Sequence, residues 1–127
     1  MACSPVVALT GRRTQDKLLR HAYQEVDHRG PFAAVSKYDA LVDDVEQLPN
    51  RLRQAFREAT TGTPGPVHLD LAGINGYVIA EGEADLEVVV EPDLGRVPPF
   101  RPLPERARIR QALDLLERSK RPVIIAG

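Results

Sequence analysis

The stretch TTGTPGPVHLDL, residues 60 to 71, decides how the rest of the chain is read. Two glycines and two prolines stand between Gly62 and Pro66. Proline fixes φ near −65° and glycine admits backbone conformations closed to other residues, so this is a stiff, sharply specified corner. Beyond it Val67, Leu69 and Leu71 alternate with His68 and Asp70, the period of a β-strand. Ahead of it, Leu48, Leu52, Ala55, Phe56 and Ala59 form one apolar stripe at helical spacing. Asp44 and Gln47 have capping-box spacing, and Pro49 is tolerable only near a helix start. A helix over 45–61 therefore turns through the Gly-Pro corner into a strand over 66–71. Phe56 is expected on the buried face of that helix, with Leu52 and Ala59.

Working outward, PVVALTG (residues 5 to 11) is a continuous apolar run closed by Gly11. It reads as a strand covered on both faces, the habit of parallel sheets. Residues 12 to 30 are polar, with apolar positions suited to one or two helical turns that Gly30-Pro31 would stop. AVSKYDALV (34 to 42) reads as a short strand. The expected class is α/β: a partial parallel sheet with flanking helices, incomplete at both ends.

Further on the pattern dissolves. Residues 81 to 93 hold six acidic side chains and no basic one, and VPPFRPLP (97 to 104) is half proline. An extended connection over 74–104 is expected, stiff in its second half, with strand pairing around LEVVVE left open. Ile109, Ala112, Leu113 and Leu116 then mark a second amphipathic helix. PVIIAG after it reads as the start of another buried strand. Three units follow: 1–73, a linker at 74–104, and the beginning of a second domain at 105–127.

Seventeen Lys and Arg against 18 Asp and Glu give no charge argument for nucleic acid or membrane as a partner. No apolar run approaches the ~20 residues that span a bilayer. A single cysteine, Cys3, leaves no intrachain disulfide and suits a cytoplasmic setting. Cys3 reads as inert packing.

The motifs SPVVALTG (4–11), AYQEVD (22–27), DDVEQLPNRLRQAFREATTGTPGPVHLDL (43–71) and LLERSKRPVIIAG (115–127) follow one another in a fixed order. Together they resemble the thiamine-diphosphate-dependent enzymes, and among these the acetolactate (acetohydroxyacid) synthase large subunits. The resemblance implies a Rossmann-like fold in which residues 1–73 end a pyrimidine-binding domain and 105–127 begin a central domain. It implies thiamine diphosphate with Mg2+, and leaves open a bound flavin, FAD. It further implies a 2-oxo acid substrate and a homodimeric or homotetrameric parent. The family's catalytic glutamate and its metal-diphosphate motif match no residues here, so neither catalytic nor metal-ligating residues are expected, and the chain alone should be inactive.

Tyr23 and Gln24 match the family's Phe-Gln pair on the substrate wall, the ring offering an apolar face and the amide a hydrogen-bond donor. Gly11 and Arg12, at the carboxyl end of a parallel strand, are expected near the cofactor. Departures from the family are Arg12 and Arg13 where the synthases carry Gln, and Ala72-Gly73-Ile74 where they carry Pro-Lys-Asp. The missing lysine leaves an acyl-CoA or 2-oxo acid decarboxylase as an alternative. Arg12, Arg13, Lys17, Arg20 and Arg29 form a basic cluster, either a solvated face or an anionic handle. His21, His28 and His68 read as surface or hydrogen-bonded histidines, and Asp27 as the cap of the turn after it. From another class, a small non-catalytic α/β binding module stays open.

Overall fold

The computed structural model describes residues 3–14, 18–21, 23, 25–73 and 85–126. A three-stranded parallel sheet is built from β1 (Val6–Arg12), β2 (Tyr38–Val42) and β3 (Pro66–Ala72), in the order β1-β3-β2. Residue Leu9 of β1 and Ala40 of β2 both register with Leu69 of the central strand. The α/β expectation holds, and β1 and β3 are parallel as anticipated.

Helix α2 (Leu48–Thr60) joins β2 to β3. A 3-10 turn over Val45–Gln47 leads into it, with the Asp44 carboxylate accepting from the Glu46 amide at 3.0 Å. Pro49 lies in the first turn, where its missing N–H leaves no bond unmade. The helix stops at the corner. Gly62 takes φ of +60°, the left-handed conformation that suits glycine after a helix. Lys37 then reaches over the end, its Nζ donating to the carbonyls of Glu58 (2.6 Å) and Thr61 (2.9 Å). A Cβ on Gly65 would come within 2.8 Å of Lys37 Cδ. A side chain at position 65 would therefore displace the lysine stem that caps the helix, which ties the corner to the packing of the sheet.

The apolar face of the sheet packs on α2. Val67, Leu69, Ala40 and Val42 close against Ala55 and Ala59, with Leu48 and Leu52 partly buried at the margin. Phe56 corrects the expected stripe: it is 46% exposed. Alanines sit at the closest approach of helix to sheet, which leaves no room for a ring. Phe56 is turned instead toward an apolar groove of about 380 Å³ that it shares with Leu52, Val88, Val90 and Pro92. Arg57 ties Glu91 of that segment to the helix, one of the bonds running from Nε at 2.7 Å. Half-burial reduces what the ring contributes. Phe56→Ala should lower stability by about 1 kcal/mol, roughly half of the figure for a fully buried side chain, as read from urea midpoints.

Other expectations are corrected as well. Strand β1 lies at an edge, with Val6 and Leu9 about half exposed, so it is not covered on both faces. Gly30 and Pro31 do not stop a helix; they lie inside α1 (Arg29–Ala33), because proline fits a first turn. No helix precedes α1 among the described residues. Residues 85–91 form no strand, and a 3-10 turn spans Pro92–Gly95. Helix α3 (Arg106–Arg118) forms where its periodicity places it but buries none of its residues. Described residues 122–126 are not a strand, and Val123, Ile124 and Ile125 are exposed. Cys3 is exposed rather than packed.

Candidate functional site

The face of the sheet opposite α2 is polar. Side chains alternate along a strand, and in-register neighbours of a parallel sheet share a face. Thr10 registers with Asp70, and Asp39 with His68. All four belong to one hydrogen-bonded chain. Asp39 Oδ1 lies 2.7 Å from His68 Nδ1, and His68 Nε2 lies 2.7 Å from Thr10 Oγ1. Thr10 donates to Asp70 Oδ1 at 2.7 Å, and His28 Nδ1 reaches the same oxygen at 3.1 Å. The Phe32 ring of α1 stacks on the His68 imidazole, with centroids 3.8 Å apart and planes 10° from parallel.

Two arginines complete the network. Arg12, buried at the end of β1, pairs with Asp43 and donates through Nη1 to the Arg13 carbonyl at 3.1 Å. Its Nε is 3.9 Å from Asp70 Oδ2, too long for a hydrogen bond, and has no hydrogen-bond partner. Arg29 Nε donates to Asp39 Oδ2 at 2.8 Å. Burial alone would raise the Asp39 carboxyl, but hydrogen bonds from Arg29 and His68, with the Arg29 charge, outweigh it and hold the group below its ordinary value. The same hydrogen bond and charge raise Arg29.

Over the carboxyl ends of the strands runs the segment from Leu18 to His28. Leu19 and His21 adopt positive φ (63° and 53°), and the Glu25 carboxylate accepts from the amides of Leu19 and Arg20. Such left-handed conformations persist in non-glycine residues only where the surroundings fix them. Below this segment is a cavity of about 570 Å³, lined by Arg12, Leu18, Glu25, Arg29, Leu41 and Asp70 among others. Ligands of open parallel sheets bind at this end of the strands.

Of the residues singled out in the sequence, Arg12 lines the cavity, while Gly11 lies beside it on β1, in register with Leu71. Nothing lies within 4 Å of where a Gly11 Cβ would stand. Tyr23 is 74% exposed, and its carbonyl accepts from Arg13 Nε at 2.8 Å, which fastens the segment to the end of β1. Gln24 and Lys17 lie outside the described residues. Of the basic cluster, Arg12 and Arg29 both line the cavity and are each paired with a carboxylate. Asp27 accepts from the Arg29 amide at 3.1 Å, the cap expected of it. His68 is fully buried and hydrogen-bonded. No group of three or more His, Cys, Asp or Glu side chains that could hold a metal occurs among the described residues.

Sequence reasoning missed Asp39, Asp43 and Asp70 and placed no weight on Thr10. The available signal was the alternation of His68 and Asp70 within a strand flanked on both sides. Polar residues on the covered face of a central strand have to satisfy one another.

No protein-family model matches the chain. Curated proteins do. It is 37% identical over 126 residues to a probable acetolactate synthase large subunit of Methanocaldococcus jannaschii, covering 98% of the chain and 21% of that protein. It is 34% identical over 125 residues to an acetolactate synthase large subunit of Corynebacterium glutamicum, 97% of the chain and 19% of the relative. A glyoxylate carboligase of Escherichia coli O157:H7 is 33% identical over 123 residues, 97% and 20% respectively. The chain spans about a fifth of the length of these relatives.

Proposed function

We propose that this chain, a homologue of acetolactate synthase large subunits over nearly its whole length, forms part of the substrate wall of a thiamine-diphosphate-dependent enzyme acting on 2-oxo acids. The observation that carries this reading is the continuity of the similarity, which runs through the sheet, the segment bearing Tyr23 and the Gly-Pro corner without a large gap. Thiamine diphosphate, when bound, supplies the carbanion chemistry of such enzymes. The described residues do not fit its anchor: the cavity's Arg12 and Arg29 already have carboxylate partners, and no metal-holding cluster is present among them. The diphosphate and Mg2+ are therefore assigned to other parts of a longer enzyme, as is FAD if one is bound. That enzyme is assigned as a cytoplasmic homodimer or homotetramer; no helix among the described residues is long and apolar enough to cross a membrane.

What this chain contributes is shape and polarity. The exposed Tyr23 offers an apolar ring with a hydrogen-bonding hydroxyl, and the Gln24 amide, next in sequence, is the second group assigned to this wall. Arg13 fixes the backbone behind Tyr23. The glyoxylate carboligase relative supports joining of 2-oxo acids over cleavage of acyl-CoA. The pairing of Arg12 and Arg29 also argues against a phosphate handle in the basic cluster.

Titration calorimetry of the 127-residue chain with thiamine diphosphate and Mg2+ should show weak binding at most. In the longer enzyme, Gln24→Ala should lower kcat or change acceptor preference with cofactor affinity nearly unchanged. Tight cofactor binding by this chain, or an unaltered Gln24→Ala enzyme, would defeat the assignment.

A further inference from the structure

The polar face of β3 has more short hydrogen bonds than its neutral groups have protons. Three links run in series at 2.7 Å: Asp39 Oδ1 to His68 Nδ1, His68 Nε2 to Thr10 Oγ1, and Thr10 Oγ1 to Asp70 Oδ1. Each link needs one proton between its heavy atoms, because two facing lone pairs repel. Thr10 supplies one proton and a neutral imidazole supplies one. The series is one proton short. His28 fills its own bond to Asp70 from Nδ1–H and contributes nothing to the other three.

We infer that the extra proton resides on His68, which donates from both ring nitrogens as a buried imidazolium, to Asp39 through Nδ1 and to Thr10 through Nε2. The carboxyls are the poorer hosts. Asp39 also accepts from Arg29 through its second oxygen, and Asp70 has the Arg12 guanidinium beside it. A carboxyl facing a guanidinium favours its ionised form. Asp39 is held below its ordinary value despite its burial, in keeping with a carboxylate acceptor.

Charge balance points the same way. Asp39, Asp43 and Asp70 face Arg12 and Arg29, and Asp27 also acts on Arg29, so a cationic His68 adds positive charge where carboxylates are in excess. Buried ions are tolerated when paired and hydrogen-bonded, and here every element packed on the ring takes part. Thr10 comes from β1, Asp39 from β2 and Asp70 from β3 itself, while Phe32 of α1 stacks its ring on the imidazole, an arrangement that favours a cation.

His68 is consequently a positioning residue. It does not line the cavity, but it joins both outer strands to the central one and, through Thr10, orients the Asp70 carboxylate that does. This holds whatever ligand the cavity takes.

The test is a long-range 1H–15N correlation spectrum of the full chain labelled with 15N-histidine, near neutral pH. His21→Gln and His28→Gln variants assign the three rings. His68 should show two protonated ring nitrogens of similar shift. Thr10→Val removes two of the three links and should return the ring to a single proton on Nδ1. A His68 ring with one bare nitrogen in the unmodified chain overturns the inference. So does a doubly protonated ring in Thr10→Val. Should that variant not fold, the spectrum of the unmodified chain decides alone.

Discussion

Leu69→Ala is expected to cost the fold about 2–5 kcal/mol, in the upper half of that range. Leu69 is fully buried on the central strand, between Leu9 and Ala40 in register. Its neighbours across the core are Ala55 and Ala59 of α2, which have no length with which to fill the space it would leave. Residual cavity volume is what separates costly from cheap truncations. A domain of this size has about 5–15 kcal/mol of stability in all, so the variant should lose a large share of it. Leu9→Ala is the control, because it makes the same chemical change in the same register on a strand where the side chain is 55% exposed. Its loss should be about 1 kcal/mol. Urea unfolding followed by circular dichroism checks both. Equal losses at the two leucines would mean that the core does not lie between β3 and α2.

The parts of the fold legible in the sequence are those with local causes. Gly62, Gly65 and Pro66 mark the corner because backbone sterics act at the residue itself. The alternation after them gives β3, and the stripe before them gives α2. What was not legible depends on who covers whom. The run PVVALTG is apolar enough for two covered faces, yet β1 lies at an edge, with β3 in the middle. PVIIAG is likewise an apolar run, yet its described residues pair with no strand among the described residues, and Ile125 is 93% exposed. Apolar composition permits burial; only a neighbour produces it.

Phe56 failed for a related reason. A helical stripe spans ≳ 100° of arc, and the sheet chose the side carrying Ala55 and Ala59. The candidate site was half legible. Gly11, Arg12 and Tyr23 could be singled out because they lie at one end of a strand or in a recognisable motif, and of these Arg12 lines the cavity. Asp39 and Asp70 were not, because their partners are distant in sequence: Thr10 is 60 residues from Asp70. His68 read as a surface or hydrogen-bonded histidine, and it is the second: it is buried in the hydrogen-bonded chain, with Phe32 of α1 stacked over it.

Asp70→Ala is the second large effect, about 3–5 kcal/mol, the figure for removing one member of a buried charged pair. The carboxylate is almost wholly buried, accepts from Thr10 and His28, and is the nearest anion to Arg12 Nε. Alanine would leave the Thr10 hydroxyl and the His28 imidazole without their shared acceptor and would remove the anion nearest Arg12 Nε. Asn at the same position keeps the shape and one acceptor oxygen but not the charge, so Asp70→Asn should lose less; the difference between the two variants measures the acceptor and shape, and the loss that remains in Asp70→Asn measures the charge. Acid should weaken the same network through Asp39. Its folded carboxyl is held below the ordinary value, so its contribution is complete above the unfolded pKa of about 3.9 and disappears as pH falls through the lower folded value. Asp39→Asn removes that titrating group. Its stability should therefore fall less steeply below about pH 4 than that of the unmodified chain, although it starts lower at neutral pH. An Asp70→Ala chain with an unchanged urea midpoint, or an Asp39→Asn chain with an unchanged acid limb, would show that the polar face of the sheet is solvated rather than closed.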